Sequence, residues 1–236
     1  MRYKRLDWDS SFFGFDIHSL ELAQEDSPQD VADFLQARDD YKLCYVFSPR
    51  FIDNRYKVLK QIGGRLYDLR VTFFKDEIHP IQLVQDNVAV LGAITDRAID
   101  LAVESGWKSR FRKDKALAAL QPELYRRWLV KDFESETATV LGYYYDDVLV
   151  GLACASCAAG ERMGKLDLIS VAKEKRGRGI GSTLLNAVEM YWLSNDCKSS
   201  RIVTQGDNES ACAFYARNNY GIISEQEVWH VWKSTN

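Results

Sequence analysis

Apolar and polar positions along the chain follow two periods. Val31, Ala32, Phe34 and Leu35 fall at helical spacing, while residues 43–47 form an unbroken apolar run of strand length. Val58, Leu59 and Ile62 share one side of a helix predicted over 54–62, and Gly63-Gly64 closes it, as glycine commonly does past a helix C-terminus. β-branched and aromatic residues across 66–74 predict a strand. A polar seam with Asp76, Glu77 and Pro80 follows over 75–82. Beyond it, Thr95 is an N-cap candidate for a helix running through Leu101 and Val103, and 122–133 predicts a second helix with Pro122 in its first turn. Runs at 138–145 and 148–157 predict two strands joined by a hairpin turn at Asp146-Asp147. Strand 165–171, helix 179–195, strand 201–204, helix 208–218 and strand 222–232 complete the pattern, with no internal repeat.

Composition narrows the class. With 236 residues, 46% of them hydrophobic, the chain can build a packed core. Lys+Arg number 31 against Asp+Glu 34, which argues against a nucleic-acid-binding surface spread over the whole protein. Mean hydropathy is −0.31, and no apolar run approaches the roughly 18 residues of a membrane span. The opening residues lack the apolar segment of a signal peptide, and the cysteines (Cys44, Cys154, Cys157, Cys197, Cys212) are odd in number and scattered. Reduced thiols in a cytoplasmic protein are the expectation. Cys154-Ala-Ser-Cys157 has no second pair to complete a metal site and lies in a predicted strand, so buried thiols are expected, and no metal.

The sharpest chemistry lies at 168–185. A strand ending at Val171 runs through Lys173, Lys175, Arg176, Gly177, Arg178 and Gly179 into an amphipathic helix opening with Ile180, Gly181 and Ser182. Missing Cβ atoms let backbone N–H groups crowd an anion, and the helix N-terminus adds its positive end. The turn predicts phosphate binding. It is not a dinucleotide fingerprint, because Ser182 stands where the third glycine belongs; it is not a Walker loop, because no lysine follows Gly181. The bland reading is a glycine-rich turn with solvated charges.

Arg176-x-x-Gly179-x-Gly181 resembles the Arg/Gln-x-x-Gly-x-Gly/Ala pattern of the GCN5-related N-acetyltransferases (GNAT), whose turn binds the pyrophosphate of acetyl-CoA. Asn208-x-x-Ala211-x-x-Phe214-Tyr215 is similar to a second element of that family, although Tyr220-Gly221 inverts the Gly-Phe pair that usually follows. Together the two cover roughly 165–232. The opening Leu6-Asp7-Trp8-Asp9 through Phe12-Phe13-Gly14, the later Ser109-Arg110-Phe111-Arg112, and Trp229-His-Val-Trp232 resemble the bacterial dTDP-fucosamine N-acetyltransferases, which acetylate a nucleotide-linked amino-deoxy-sugar in surface-polysaccharide synthesis. The resemblance implies an α/β protein of GNAT fold, a mixed central β-sheet flanked by helices. A small N-terminal α/β domain (1–77) contributing to the acceptor site would precede the acetyltransferase domain (78–236).

The same resemblance gives the residues their expected roles. Acetyl-CoA is the co-substrate, held by the turn at 176–182 and by Asn208. Tyr215 donates a proton to the leaving thiolate; without the motif it reads as a half-buried aromatic. Strand 168–171 offers its backbone to the pantetheine amides, with Ile169 and Val171 flanking the reacting carbonyl. Asp68 is the candidate base, against a solvated strand carboxylate. Arg110 is a candidate phosphate fork or an interdomain salt bridge, and Phe111 a base-stacking surface. A homodimer is expected from the resemblance alone, and a membrane partner is not. Two other readings stay open: a protein or small-amine N-acetyltransferase, and a catalytically silent acyl-CoA-binding module.

Overall fold

The computed structural model describes residues 1–50, 53–79, 86–158, 160 and 162–233. Along the chain run β1 (Arg2–Arg5), α1 (Asp7–Phe13), β2 (Ile17–Glu21), α2 (Pro28–Gln36), β3 (Leu43–Pro49), α3 (Asp53–Gln61) and β4 (Arg65–Lys75). Then come β5 (Val88–Val90), α4 (Asp96–Ser105), α5 (Arg110–Lys113), α6 (Gln121–Glu134), β6 (Ala138–Tyr145) and β7 (Val148–Ala158). The last elements are β8 (Met163–Val171), α7 (Ile180–Ser194), β9 (Ser199–Gln205), α8 (Glu209–Arg217) and β10 (Gly221–Trp232).

Local signals placed most of these correctly. Thr95 caps α4, its hydroxyl accepting from the Ala98 N–H at 3.2 Å. Asp146 and Asp147 take φ values of 49° and 60°, the left-handed pair that turns a two-residue hairpin between β6 and β7. Cys154 is buried and Cys157 half-buried on β7, three residues apart and so on opposite faces; both are free thiols, and the expectation of two buried ones holds for Cys154 alone. The first strand, helix and second strand went unread. Residues 80–82 of the expected seam lie outside the described residues.

All ten strands belong to one sheet in the order β1-β2-β3-β10-β4-β9-β8-β7-β6-β5. β4, from the N-terminal part, lies between β9 and β10, antiparallel to both. The division near residue 77 therefore marks a change along the chain, while the sheet runs on unbroken. α4 and α6 cover one face of β6–β8, and α7 covers the other. The larger core joins Leu101, Leu124 and Leu129 on the first side to Leu184, Val188 and Trp192 on the second. A smaller core gathers Leu20, Leu35, Val46, Leu59 and Trp229 around α2 and α3.

A buried polar network ties the inserted strand in place. Lys75 Nζ, at the end of β4, donates to Glu189 Oε1 of α7 at 2.5 Å. Tyr220 Oη donates to the same oxygen at 2.8 Å and lies 3.0 Å from Ser200 Oγ of β9. Glu189 is buried, so its charge is tolerable because these partners satisfy it.

Helix α7 approaches β8 closely where side chains are small. A methyl placed on Gly164 would overlap the Trp192 indole, whereas one on Gly92 meets nothing within 4 Å. Gly164→Ala is expected to cost about 1–3 kcal/mol by overpacking. Gly92→Ala should stay within about 0.5 kcal/mol of the parent protein. Urea denaturation of the two variants checks this.

Candidate active site

The site begins with a parting of strands. β8 and β9 pair in parallel only from Met163↔Ser199 to Leu166↔Ile202. Past that point β8 holds to β7 and β9 to β4, leaving the sheet open between them. The cause is local: Cys154 faces Leu168 and Ala155 faces Leu166, so Asp167 is an extra, bulged residue. A bulge bends its strand and sharpens its twist. Ile169 and Val171 stand on the bent arm, and the backbone edge facing the gap has no strand partner.

One face of the gap carries the glycine-rich turn. A 3-10 turn, Lys173–Lys175, leads into Gly177 and Gly179, whose φ values of 75° and 81° lie in the left-handed region that glycine adopts freely. Nothing stands within 4 Å of the position a Cβ would take on either glycine. α7 then starts at Ile180 with no side-chain cap, so the first-turn N–H groups of Ile180, Gly181 and Ser182 are not taken up by a capping side chain. Open first-turn amides beside two Cβ-free positions form a cradle of the shape that suits an anion. The Arg176 side chain is not part of it. Its Nε donates to Val171 O at 2.9 Å and an Nη to Glu104 Oε1 at 2.7 Å, fastening the turn to β8 and α4. Arg176, expected among the residues holding the co-substrate, here braces the turn; the exposed side chains of Arg178 and Lys173 have no such partner among the described residues.

α8 closes the same face. Phe214 reaches within 3.4 Å of the Cβ position on Gly181, which brings the two sequence motifs together. Asn208 sits before the helix, its Oδ1 accepting from Ser210 Oγ at 3.0 Å. The Tyr215 ring is buried against Phe73 of β4, 5.4 Å between centroids. Burial pushes its phenol well up, so it keeps its proton at neutral pH.

Asp68 occupies the opposite face. It and Phe73 are five residues apart on a regular stretch of β4, so their side chains point to opposite sides. Burial raises the Asp68 carboxyl to about 6, against the pull of Lys113 and Arg110 from α5 and with Asp207 adding to the rise. Its Oδ1 is buried without a hydrogen-bond partner. α5 is held over it by Asp114, which the sequence did not single out, and by two residues of the 229–232 segment. Asp114 Oδ2 lies 2.6 Å from His230 Nδ1 and accepts from Trp232 Nε1 at 3.0 Å. Burial pushes His230 down to about 4, so it is neutral and donates through Nδ1. Although burial opposes it, these hydrogen bonds hold Asp114 below the usual carboxylate range.

The other acceptor-side expectations divide. Arg110 lies over the rings of Tyr45 (4.5 Å) and Phe111 (4.2 Å), near Asp68. Phe111 itself is only 4% exposed, packed against Phe13, Tyr45 and Trp128, so it is a core residue and offers no stacking surface. Asp167 was missed: it stands at the start of the gap and accepts from Ser156 Oγ at 2.7 Å, and desolvation of the carboxylate outweighs that bond and raises it above the ordinary range. Only pairing register reveals a bulge, so no local signal could have found it.

The sequence pattern of the acetyltransferase (GNAT) family matches residues 104–220. This part of the chain belongs to the GNAT family. The fold is the GNAT fold, and that family uses acetyl-CoA. A GCN5-related N-acetyltransferase from Sphaerobacter thermophilus superposes with a TM-score of 0.62 at 12% identity, over 99% of this chain and 78% of the other. One from Kribbella flavida gives 0.55 at 12% identity, over 93% and 82%. In sequence, a mycothiol acetyltransferase of Corynebacterium jeikeium is 30% identical over 71 residues, 30% of this chain and 21% of that protein. The chain thus matches about a fifth of that relative's length. Among the described residues no helix is long and apolar enough to cross a membrane, and no cluster of metal-binding side chains occurs.

The cradle makes a direct prediction. Gly179→Val places a branched side chain in the open space at a left-handed φ, and should weaken acetyl-CoA binding at least roughly tenfold in calorimetry. Circular dichroism should show the fold retained. Unchanged affinity in the folded variant would rule out the cradle as the phosphate site.

Proposed function

We propose that the protein transfers the acetyl group of acetyl-CoA to the amino group of a nucleotide-linked amino-deoxy-sugar, with residues 1–77 building much of the acceptor side. The observation that carries this reading is the placement of two unlike surfaces on either side of one gap in the sheet. The GNAT cradle and Tyr215 lie on one side; Asp68, beneath cationic α5, lies on the other. An acyl donor and an amine can then meet in line through the gap without competing for one surface. The resemblance of the opening segment, 109–112 and 229–232 to dTDP-fucosamine N-acetyltransferases favours the sugar nucleotide over a peptide or a simple amine.

The residues divide the chemistry. The amides of Ile180, Gly181 and Ser182 hold the donor's pyrophosphate, and Asn208 lies beside its arm. The unpaired edge of β8 at Ile169 and Val171 aligns the arm and supplies N–H groups toward the carbonyl oxygen. Asp68, ionised above pH about 6, takes a proton from the acceptor ammonium directly or through water. Tyr215, kept protonated by burial, returns a proton to the departing thiolate. A raised phenol pKa makes it a reluctant donor, so it acts only as thiolate charge develops at sulfur.

Two variants test the division. Tyr215→Phe keeps the ring and removes the hydroxyl. It should lower kcat by about 10²–10⁴ with acetyl-CoA binding nearly intact. A loss below about tenfold would leave Tyr215 as a packing residue and the acid elsewhere.

The pH profile tests Asp68. Its carboxyl, raised to about 6, is a base only above that pH, so the acid limb of kcat/KM should fall near there. Asp68→Asn should remove that limb, and its deficit should shrink toward high pH as the amine loses its proton unaided. A limb that persists in Asp68→Asn assigns the base to another group, with Asp167 the first to examine.

A further inference from the structure

The acceptor side holds more positive charge than its own carboxylates neutralise. Arg70 of β4 shares the face of Asp68, two residues along the strand, and pairs across to Gln205 and Gln226. Its guanidinium stands 5.6 Å from the centre of the Phe47 ring. Arg110 reaches the same ring from α5 at 5.9 Å. Arg110 Nε is buried with no hydrogen-bond partner among the described residues. Neither arginine forms an ion pair among the described residues. Arg201 of β9 lies on the same face and repels Arg70, as Arg110 does.

The nearby acids are committed elsewhere. Glu21 pairs with Arg2 at 2.6 Å, Glu225 with Arg50 at 2.6 Å and Asp207 with Lys113 at 2.8 Å. Asp9, half-buried, approaches Arg110, and desolvation outweighs that attraction to raise its carboxyl. Asp68 lies in the field of both arginines but forms no ion pair with either among the described residues. Converging guanidinium groups without carboxylate partners repel one another and lose solvation. Such an arrangement is stabilised by an anion of matching charge, and planar forks suit phosphate oxygens. A single carboxylate would satisfy one fork. Two forks over one aromatic ring, with a third arginine in range, match two linked phosphates.

We infer that Arg70 and Arg110 clamp the diphosphate of the acceptor across the Phe47 ring, with Arg201 strengthening the field. The inference rests on the nucleotide-sugar reading above and adds the residues that would select for it. Acetyl-CoA's own pyrophosphate is held on the other face of the sheet, so the protein carries two separate diphosphate sites. The clamp also places the linked sugar beside Asp68, because Arg70 is its next neighbour on that face of β4.

Calorimetry on the full chain, with dTDP, UDP and inorganic pyrophosphate as probes, tests this with and without saturating acetyl-CoA. A nucleoside diphosphate should bind alongside acetyl-CoA. Arg70→Gln and Arg110→Gln should each weaken dTDP at least roughly tenfold while acetyl-CoA affinity stays within about twofold. Arg70→Lys, which keeps charge and loses the fork, should fall between. If dTDP binds and neither glutamine variant weakens it, the clamp is overturned and the nucleotide-sugar reading stands. If dTDP is displaced by acetyl-CoA, the second site does not exist. If no probe binds while acetyl-CoA does and phosphate-free amines are acetylated, the nucleotide-sugar reading fails and the clamp with it. Should Arg110→Gln not fold by circular dichroism, Arg70→Gln and Arg201→Gln decide the outcome.

Discussion

Everything at the site depends on the parallel pairing of β8 and β9 stopping at Leu166↔Ile202. One extra residue, Asp167, ends it. Were the ladder continued to Val171, its amides and carbonyls would satisfy one another and no edge would remain for a ligand. The bulge thus exchanges a few backbone hydrogen bonds for an open, aligned row of donors and acceptors. It also frees the end of β8 to lead into the glycine turn, so one irregularity supplies both the gap and the approach to the cradle.

Such a gap weakens a sheet, and the structure compensates on both faces. On the cradle face, Glu189 gathers Lys75 and Tyr220, with Ser200 beyond, tying β4, α7 and β9 at one point. On the acceptor face, Asp114 draws His230 and Trp232 onto α5. Arg176 braces the turn against Glu104. These groups touch no proposed ligand atom. They fix the walls of the gap while leaving its rim unfilled, which is what preorganisation requires of supporting residues.

The sequence showed the cradle more clearly than the acceptor side, for a physical reason. A glycine turn and a helix start are local, and their residues must be adjacent in the chain. The hairpin at Asp146-Asp147 was legible for the same cause. The face proposed for the acceptor is assembled from β3, β4, β9, α5 and β10, whose proximity is set by strand order. Nothing marks Arg70 in the sequence, and His230 stands out only as part of the 229–232 segment. Phe111 was misread because an aromatic next to an arginine suits stacking on a ligand as well as it suits a core. Arg176 belongs to a recognisable motif, yet its carbonyl and carboxylate partners, Val171 and Glu104, are visible only in three dimensions. α1, β1 and β2 lack a clean period: β2 is buried nearly throughout and β1 is short and largely charged.

The position of β4 has a consequence for how the chain reaches this state. Its two neighbours in the sheet, β9 and β10, follow it by well over a hundred residues, at Ser199–Gln205 and Gly221–Trp232. During synthesis, the apolar face of β4 around Val71 and Phe73 must wait for strands not yet made. Contacts of such large sequence separation slow folding and lengthen the exposure of unpaired edges. β10 is the last strand to arrive and the one that joins β3 to β4. β1, β2 and β3 can pair with one another early, but β4 joins them only through β10, so the last strand of the chain is the one that draws the two parts of the sheet together.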